Sequence, residues 1–192
     1  MKKVFSLLLV FSFFFLTKTQ AQLQQGNIMI GSDLANLNLT LGGGGYFTAA
    51  ISPKVGFFIS DNVVVGGQLD FKIATGSGAG TSTTYGVGAF GRYYLSDPKT
   101  VVLKHGRFFF EGNVGIQGVS LSGGSNTTGL GIGVGPGYAY FITPNIGLET
   151  LLKYNGIVGF GSQAYNSNLN LGVGFQIYLP GKKARAIIND VK

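Results

Sequence analysis

Cysteine and tryptophan are absent from the 192 residues, and histidine occurs once. Without a thiol the chain can carry no disulfide, no thiolate-bound metal and no lipid on an N-terminal cysteine. The lone histidine, His105, stands beside Lys104 with no serine or acid that strand arithmetic brings to it, so a solvated turn residue is the expected reading and a catalytic base is not. Charge is scarce. Lys, Arg, Asp and Glu make up 11% of the chain, against roughly 25% in ordinary soluble domains, too little to cover a surface facing water. Long apolar runs are nearly absent too. The exception, Val4 to Leu16, follows Lys2 and Lys3 and precedes Thr19 and Ala21. It falls short of the about 20 residues a spanning helix needs and has the layout of a secretory signal peptide cleaved before Gln22, rather than of a retained anchor.

Removing residues 1–21 takes Lys2, Lys3 and Lys18 and no acid, so the net charge drops from +7 to +4. Much of the remaining excess sits in a short tail, residues 181–192, with Lys182, Lys183, Arg185 and Lys192 against Asp190. No basic stripe interleaved with aromatics accompanies it, so no nucleic-acid partner is expected. Residues 22–180 form one domain by length.

What the chain does have is glycine, 33 residues of it, set in a strict alternation. From Asn168 to Leu179 every odd position is apolar, and the even positions are small or polar apart from Tyr178. A period of two places one face of a strand against an apolar medium. Eight such strands are expected, near Gly26 to Leu34, Thr48 to Ile59, Val63 to Ala74, Thr84 to Leu95, Arg107 to Ser120, Thr128 to Ile142, Ile146 to Gly156 and Asn166 to Leu179. Each is close to the about 9–11 residues that a tilted strand uses to cross a bilayer. Connectors alternate between tight or charged turns, such as Ser60-Asp61-Asn62 and Thr143-Pro144-Asn145, and longer segments rich in Gly, Ser, Thr and Asn. Aromatic residues gather at both ends of the apolar parity, Tyr93, Phe108 and Tyr140 at one, Tyr85, Tyr154 and Phe160 at the other, as membrane interfaces select. The expected fold is all-β, an eight-stranded antiparallel up-and-down transmembrane β-barrel with both termini on the periplasmic side. A soluble lipocalin-like barrel would keep its apolar face inside and its charges outside.

The opposite parity holds Asp33, Lys54, Asp70, Lys72, Arg92, Glu111, Glu149 and Lys153, four acids and four bases among many glycines. An eight-stranded barrel has an interior that side chains fill, and charges confined there must pair. Strand adjacency puts Lys54 near Asp33 or Asp70 and Arg92 near Glu111. These eight are the candidate lumen ion-pair network, with a structural role. A catalytic acid pair would need environments that push two pKa values apart, whereas each acid here has a base nearby. Gly131 to Gly137 superficially looks like a nucleotide loop but opens no helix; it reads as a lumen-facing glycine row. No catalytic, cofactor or metal residue is assigned.

The rhythm of strand, turn and loop, the turn sequences Phe58-Ile59-Ser60-Asp61-Asn62 and Tyr94-Leu95-Ser96-Asp97, and a last strand with Asn170, Gly172, Phe175 and Ile177 resemble the small eight-stranded outer-membrane barrels of Gram-negative bacteria, of the outer membrane protein A transmembrane-domain and outer membrane protein W type. The resemblance covers about Gln22 to Pro180. It implies an outer-membrane location, contact with outer-membrane lipid, recognition of the last strand by the barrel-assembly machinery, and a monomer. Two features depart from the pattern: the chain continues past the last-strand signal, and the tail is too short for a peptidoglycan-binding domain. The expected function is a side-chain-filled, structural or surface-interacting barrel. The rivals are a narrow, porin-like conduit for small or hydrophobic solutes and, less expected, an enzyme acting on lipid or peptide. The four glycine-rich connectors lack charge and histidine, which counts against the enzyme.

Overall fold

A computed structural model describes residues 23–39, 46–76, 80–95, 106–122, 127–160 and 166–181. Residues 1–21, where a signal peptide is expected, His105 and tail residues 182–192 lie outside the described residues. Eight strands run β1 (Ile28–Leu39), β2 (Tyr46–Ser60), β3 (Val63–Gly76), β4 (Gly80–Tyr94), β5 (Gly106–Leu121), β6 (Thr127–Thr143), β7 (Ile146–Gly159) and β8 (Asn166–Leu179). Each pairs antiparallel with its neighbours in sequence, and β8 returns to β1, closing the barrel.

The strands are 12 to 17 residues long, longer than a bilayer requires. Strand β1 runs five residues past its expected end, to Leu39, and the hairpin of β3 and β4 also extends beyond the expectation. The segment Thr75 to Thr83 has the composition of a loop, yet Thr75 pairs with Thr81, Ala74 with Ser82 and Ile73 with Thr83. Threonine is β-branched and packs well on a pleated surface, so the ladder continues until only residues 77–79 separate the two strands.

The tight turns repeat one design. Ser60-Asp61-Asn62-Val63 and Thr143-Pro144-Asn145-Ile146 each close a hairpin whose first strand shifts register just before the turn, between Phe58 and Ser60 and between Phe141 and Thr143. Asn62 takes a left-handed φ of 65°, which asparagine tolerates because its short polar side chain bonds locally. In the other turn Asn145 N donates to Thr143 Oγ1 at 3.3 Å. Two prolines interrupt ladders without shifting them: Ser52 and Pro53 are skipped between the Ile51–Phe71 and Lys54–Gln68 pairs, and Gly135 and Pro136 between Val134–Tyr154 and Gly137–Leu151. A proline has no N–H to give, so the ladder omits it and resumes in phase.

The parity of the strands is inverted relative to a soluble barrel. Val87, Ile116, Ile132, Leu152 and Leu171 point outward and are 41–63% exposed. Among the described strand residues no charged side chain has outward parity. Soluble monomers seldom expose apolar patches beyond about 300–600 Å²; here the apolar belt encircles the molecule, as a lipid-facing surface requires. Two glycines on this belt lie under aromatics: an added Cβ would meet the Tyr85 ring at Gly118 and the Tyr138 ring at Gly106.

Candidate functional site

The inward parity builds two unlike layers. At the end that carries the tight turns, Phe58, Tyr94, Phe109, Phe141 and Tyr178 close the lumen together with Met29 and Val64, each at most 6% exposed. Their rings meet edge or face, with centroids 5.5 Å apart for Tyr94–Phe109 and 5.2 Å for Phe141–Tyr178, the separations at which aromatic pairs attract. The segment before β1 folds across this end. Leu23 is buried in the same cluster, Gly26 N donates to Phe58 O, and Gln25 N donates to Asp61 Oδ1 at 2.8 Å. Tyr178 stood out on the inward parity of β8, but sequence reasoning passed over Phe58, Tyr94, Phe109 and Phe141 because each adjoins an outward aromatic: Phe57-Phe58, Tyr93-Tyr94, Phe108-Phe109-Phe110 and Tyr140-Phe141. Parity was the available signal, applied to one ring of each run and not to its neighbour.

Above this floor lies a network of six charges. Arg92 on β4 stands in register with Glu111 on β5 and donates to Glu111 Oε2 from Nε at 3.0 Å and from Nη2 at 2.6 Å. Its Nη1 reaches Glu149 on β7, at 2.7 and 2.8 Å to the two oxygens, and donates to the Tyr94 hydroxyl at 2.8 Å. The guanidinium carbon lies 4.0 Å from the Phe109 ring centroid, so the aromatic floor also faces this cation. Lys54 on β2 donates to Asp33 at 2.6 Å and to both oxygens of Glu111 at 2.9 and 3.0 Å. Lys153 on β7 reaches Glu111 at 2.8 Å. Tyr178 donates to Glu149 at 2.8 Å and Gln176 to Asp33 at 3.1 Å.

The charges balance within this set, with Asp33, Glu111 and Glu149 facing Lys54, Arg92 and Lys153. Arg92, Glu111 and Glu149 are at most 2% exposed. Ions so enclosed persist only when paired and hydrogen-bonded, since each would otherwise cost several kcal/mol in lost hydration. Glycine supplies the room: a Cβ on Gly137 would overlap the Phe109 ring, and one on Gly174 would overlap Asp33 Oδ1. Asp70 and Lys72, the other two candidate residues, stand apart. Asp70 is held by Ser52 at 2.7 Å and by Gln68 at 2.9 and 3.0 Å, and among the described residues neither Asp70 nor Lys72 joins an ion pair.

Toward the far end the lumen opens into a cavity of about 140 Å³. Its walls mix polar and apolar side chains: Ser52, Gln68, Asp70 and Lys72 on β2 and β3, and Asn113, Gln117, Asn155, Asn168 and Asn170 on β5, β7 and β8, stand among Ala35, Ala50, Leu151 and Ile157. Filling by side chains is therefore confined to the half of the lumen nearer the tight turns. Among the described residues no group of three or more His, Cys, Asp or Glu is placed to hold a metal.

No protein-family model and no curated protein matches the chain. Solved structures do. Neisserial surface protein A is 21% identical, with a TM-score of 0.59 over 80% of this chain and 97% of its own. Outer membrane protein H of P. aeruginosa is 13% identical, with a TM-score of 0.54 over 80% of this chain and 99% of its own. At such identities the likeness is one of fold: the chain has the eight-stranded barrel architecture of these small surface and outer-membrane proteins.

Proposed function

We propose that the protein is an integral outer-membrane barrel, plugged on the periplasmic side and serving a structural or surface-interaction role. The observation that carries this reading is the Arg92–Glu111–Glu149 cluster, enclosed on all sides and sealed beneath by Tyr94, Phe109 and Tyr178. An ion entering this layer would have to displace a charge from partners that replace its water. The wholly uncharged outer belt supports residence in lipid, and the likeness to outer membrane protein H supports the outer membrane as the place. On this reading the apolar run after Lys2 and Lys3 is the export signal, the source is a Gram-negative cell, the barrel-assembly machinery recognises β8, and the barrel is a monomer with no nucleic-acid partner. No catalytic role is assigned, because each acid of the network is committed to a base or a hydroxyl.

Conductance across a planar bilayer tests the plug. The wild-type barrel should show no steady current, and Arg92→Ala, Glu111→Ala or their combination should introduce one. A wild-type current as large as that of the variants would replace this reading with the second one, a narrow conduit for small or hydrophobic solutes, which the far-end cavity favours.

A further inference from the structure

We propose that the far-end cavity is a binding site for a single neutral polyhydroxylated ring, a monosaccharide unit. Size comes first. A cavity of about 150 Å³ holds benzene; this one measures about 140 Å³ and is open on one side, so a hexose, with twice the heavy atoms, seats one edge inside and leaves its outer hydroxyls at the mouth. Benzene suits an apolar wall, whereas here the amides of Asn113, Gln117, Asn155, Asn168 and Asn170 form one side and Gln68, Asp70 and Lys72 the other. Charge comes next. The lining carries Asp33 and Asp70 against Lys72 and Lys153, so an anion would face two carboxylates and a cation two ammonium groups; a neutral ligand meets neither penalty.

Unspent hydrogen-bonding capacity decides the class. Gln68 is 3% exposed and gives its Nε2 to Asp70, leaving Oε1 without a donor; Asn113 Oδ1 also lacks one. Both side chains line the cavity with these oxygens covered, and turning either amide toward a ligand would satisfy an acceptor that is costly to leave unmade. Lys72, in no ion pair among the described residues, offers donors beside the Asp70 carboxylate. Adjacent hydroxyls on one ring supply both complements, donating to Gln68, Asn113 and Asp70 while accepting from Lys72. Leu151 and Ile157, also in the lining, offer apolar surface to ring C–H groups. Asn168 lines the cavity and is exposed, so the site meets the surface on that side. The unit could arrive as a free sugar or as the end residue of a glycan.

The test is a nuclear magnetic resonance titration of the full-length, isotope-labelled barrel in micelles. Glucose, galactose, mannose and a linear trisaccharide of each are added in turn, with glycerol and glycine as comparisons. Saturable shifts should appear at the side-chain amides of Asn113, Gln117 and Asn155. Asn155→Ala and, separately, Gln117→Ala should each weaken binding by about twofold to tenfold, the range for one lost hydrogen bond; two variants guard against misfolding of either. Saturation by the hexose alone identifies a free sugar, and equal saturation by the trisaccharide a glycan end. The proposal is overturned if no sugar gives saturable shifts, which leaves a water-filled cavity, if glycine binds in place of the hexoses, or if both variants bind as the wild type does. Conductance is read independently, so failure here leaves the plug standing.

Discussion

The two halves of the lumen use the same parity of the same strands and reach opposite states. Near the tight turns the inward positions hold Met29, Phe58, Arg92, Tyr94, Glu111 and Tyr178, and the space is filled. Near the far end they hold Asn113, Gln117, Asn155 and Asn170, and the space is a cavity. Side-chain volume alone does not separate the halves, because lysine occurs in both. The difference is whether the long side chain has an opposite charge to span toward. Lys54 is drawn across the interior by Asp33 and Glu111, whereas among the described residues Lys72 joins no ion pair and lies beside open space. A plug therefore needs complementary charge as well as bulk.

The comparison is broken most sharply by removing the shared cation. Arg92→Leu leaves Glu149 without a cation and Glu111 with two, and should destabilise the barrel by about 3–5 kcal/mol in detergent unfolding, less where water reaches the gap. Adding Glu149→Leu, which removes the acid left without a cation, should recover part of that loss. Strictly additive losses would show that the network is not a unit. Next in size is a pair at the far end. Leu171→Arg puts a charge into lipid and should cost roughly 2–4 kcal/mol, while Asn170→Arg, one residue away on the cavity wall, should be mild. Equal effects would overturn the parity of β8. Smaller again is Gly137→Ala, whose new Cβ would overlap the Phe109 ring. A loss of about 1–3 kcal/mol is expected in the packed half, whereas Gly172→Ala in the cavity lining, whose Cβ would lie 3.3 Å from the Leu34 backbone oxygen and meet no ring, should cost less. The smallest effect belongs to Lys72→Ala, under about 1 kcal/mol as for a solvated charge; a loss matching that of Arg92→Leu would erase the distinction between the halves.

Local chemistry was legible in the sequence to different depths. The outward belt follows from period-two alternation, and the contact between Arg92 and Glu111 follows from two neighbouring strands joined in antiparallel order. The strand ends near Thr75 and Thr81 did not follow, because threonine serves loops and ladders alike and the register decided between them. Contacts that cross the interior, Lys54 to Glu111 and Arg92 to Glu149, could not be counted along any hairpin. They depend on how far each strand slides against the next around the closed circle, a sum of registers that no single hairpin reveals.

By itself, then, the sequence determined that one face of every strand meets an apolar medium and that the charges share the other face, since alternation is a property of neighbouring residues. Which charges meet, and that one half of the lumen is packed while the other stays open, were decided only when the barrel closed. Closure brings strands β2, β4, β5 and β7 to face one another across an enclosed space, and an ion buried there needs an opposite one within hydrogen-bond reach.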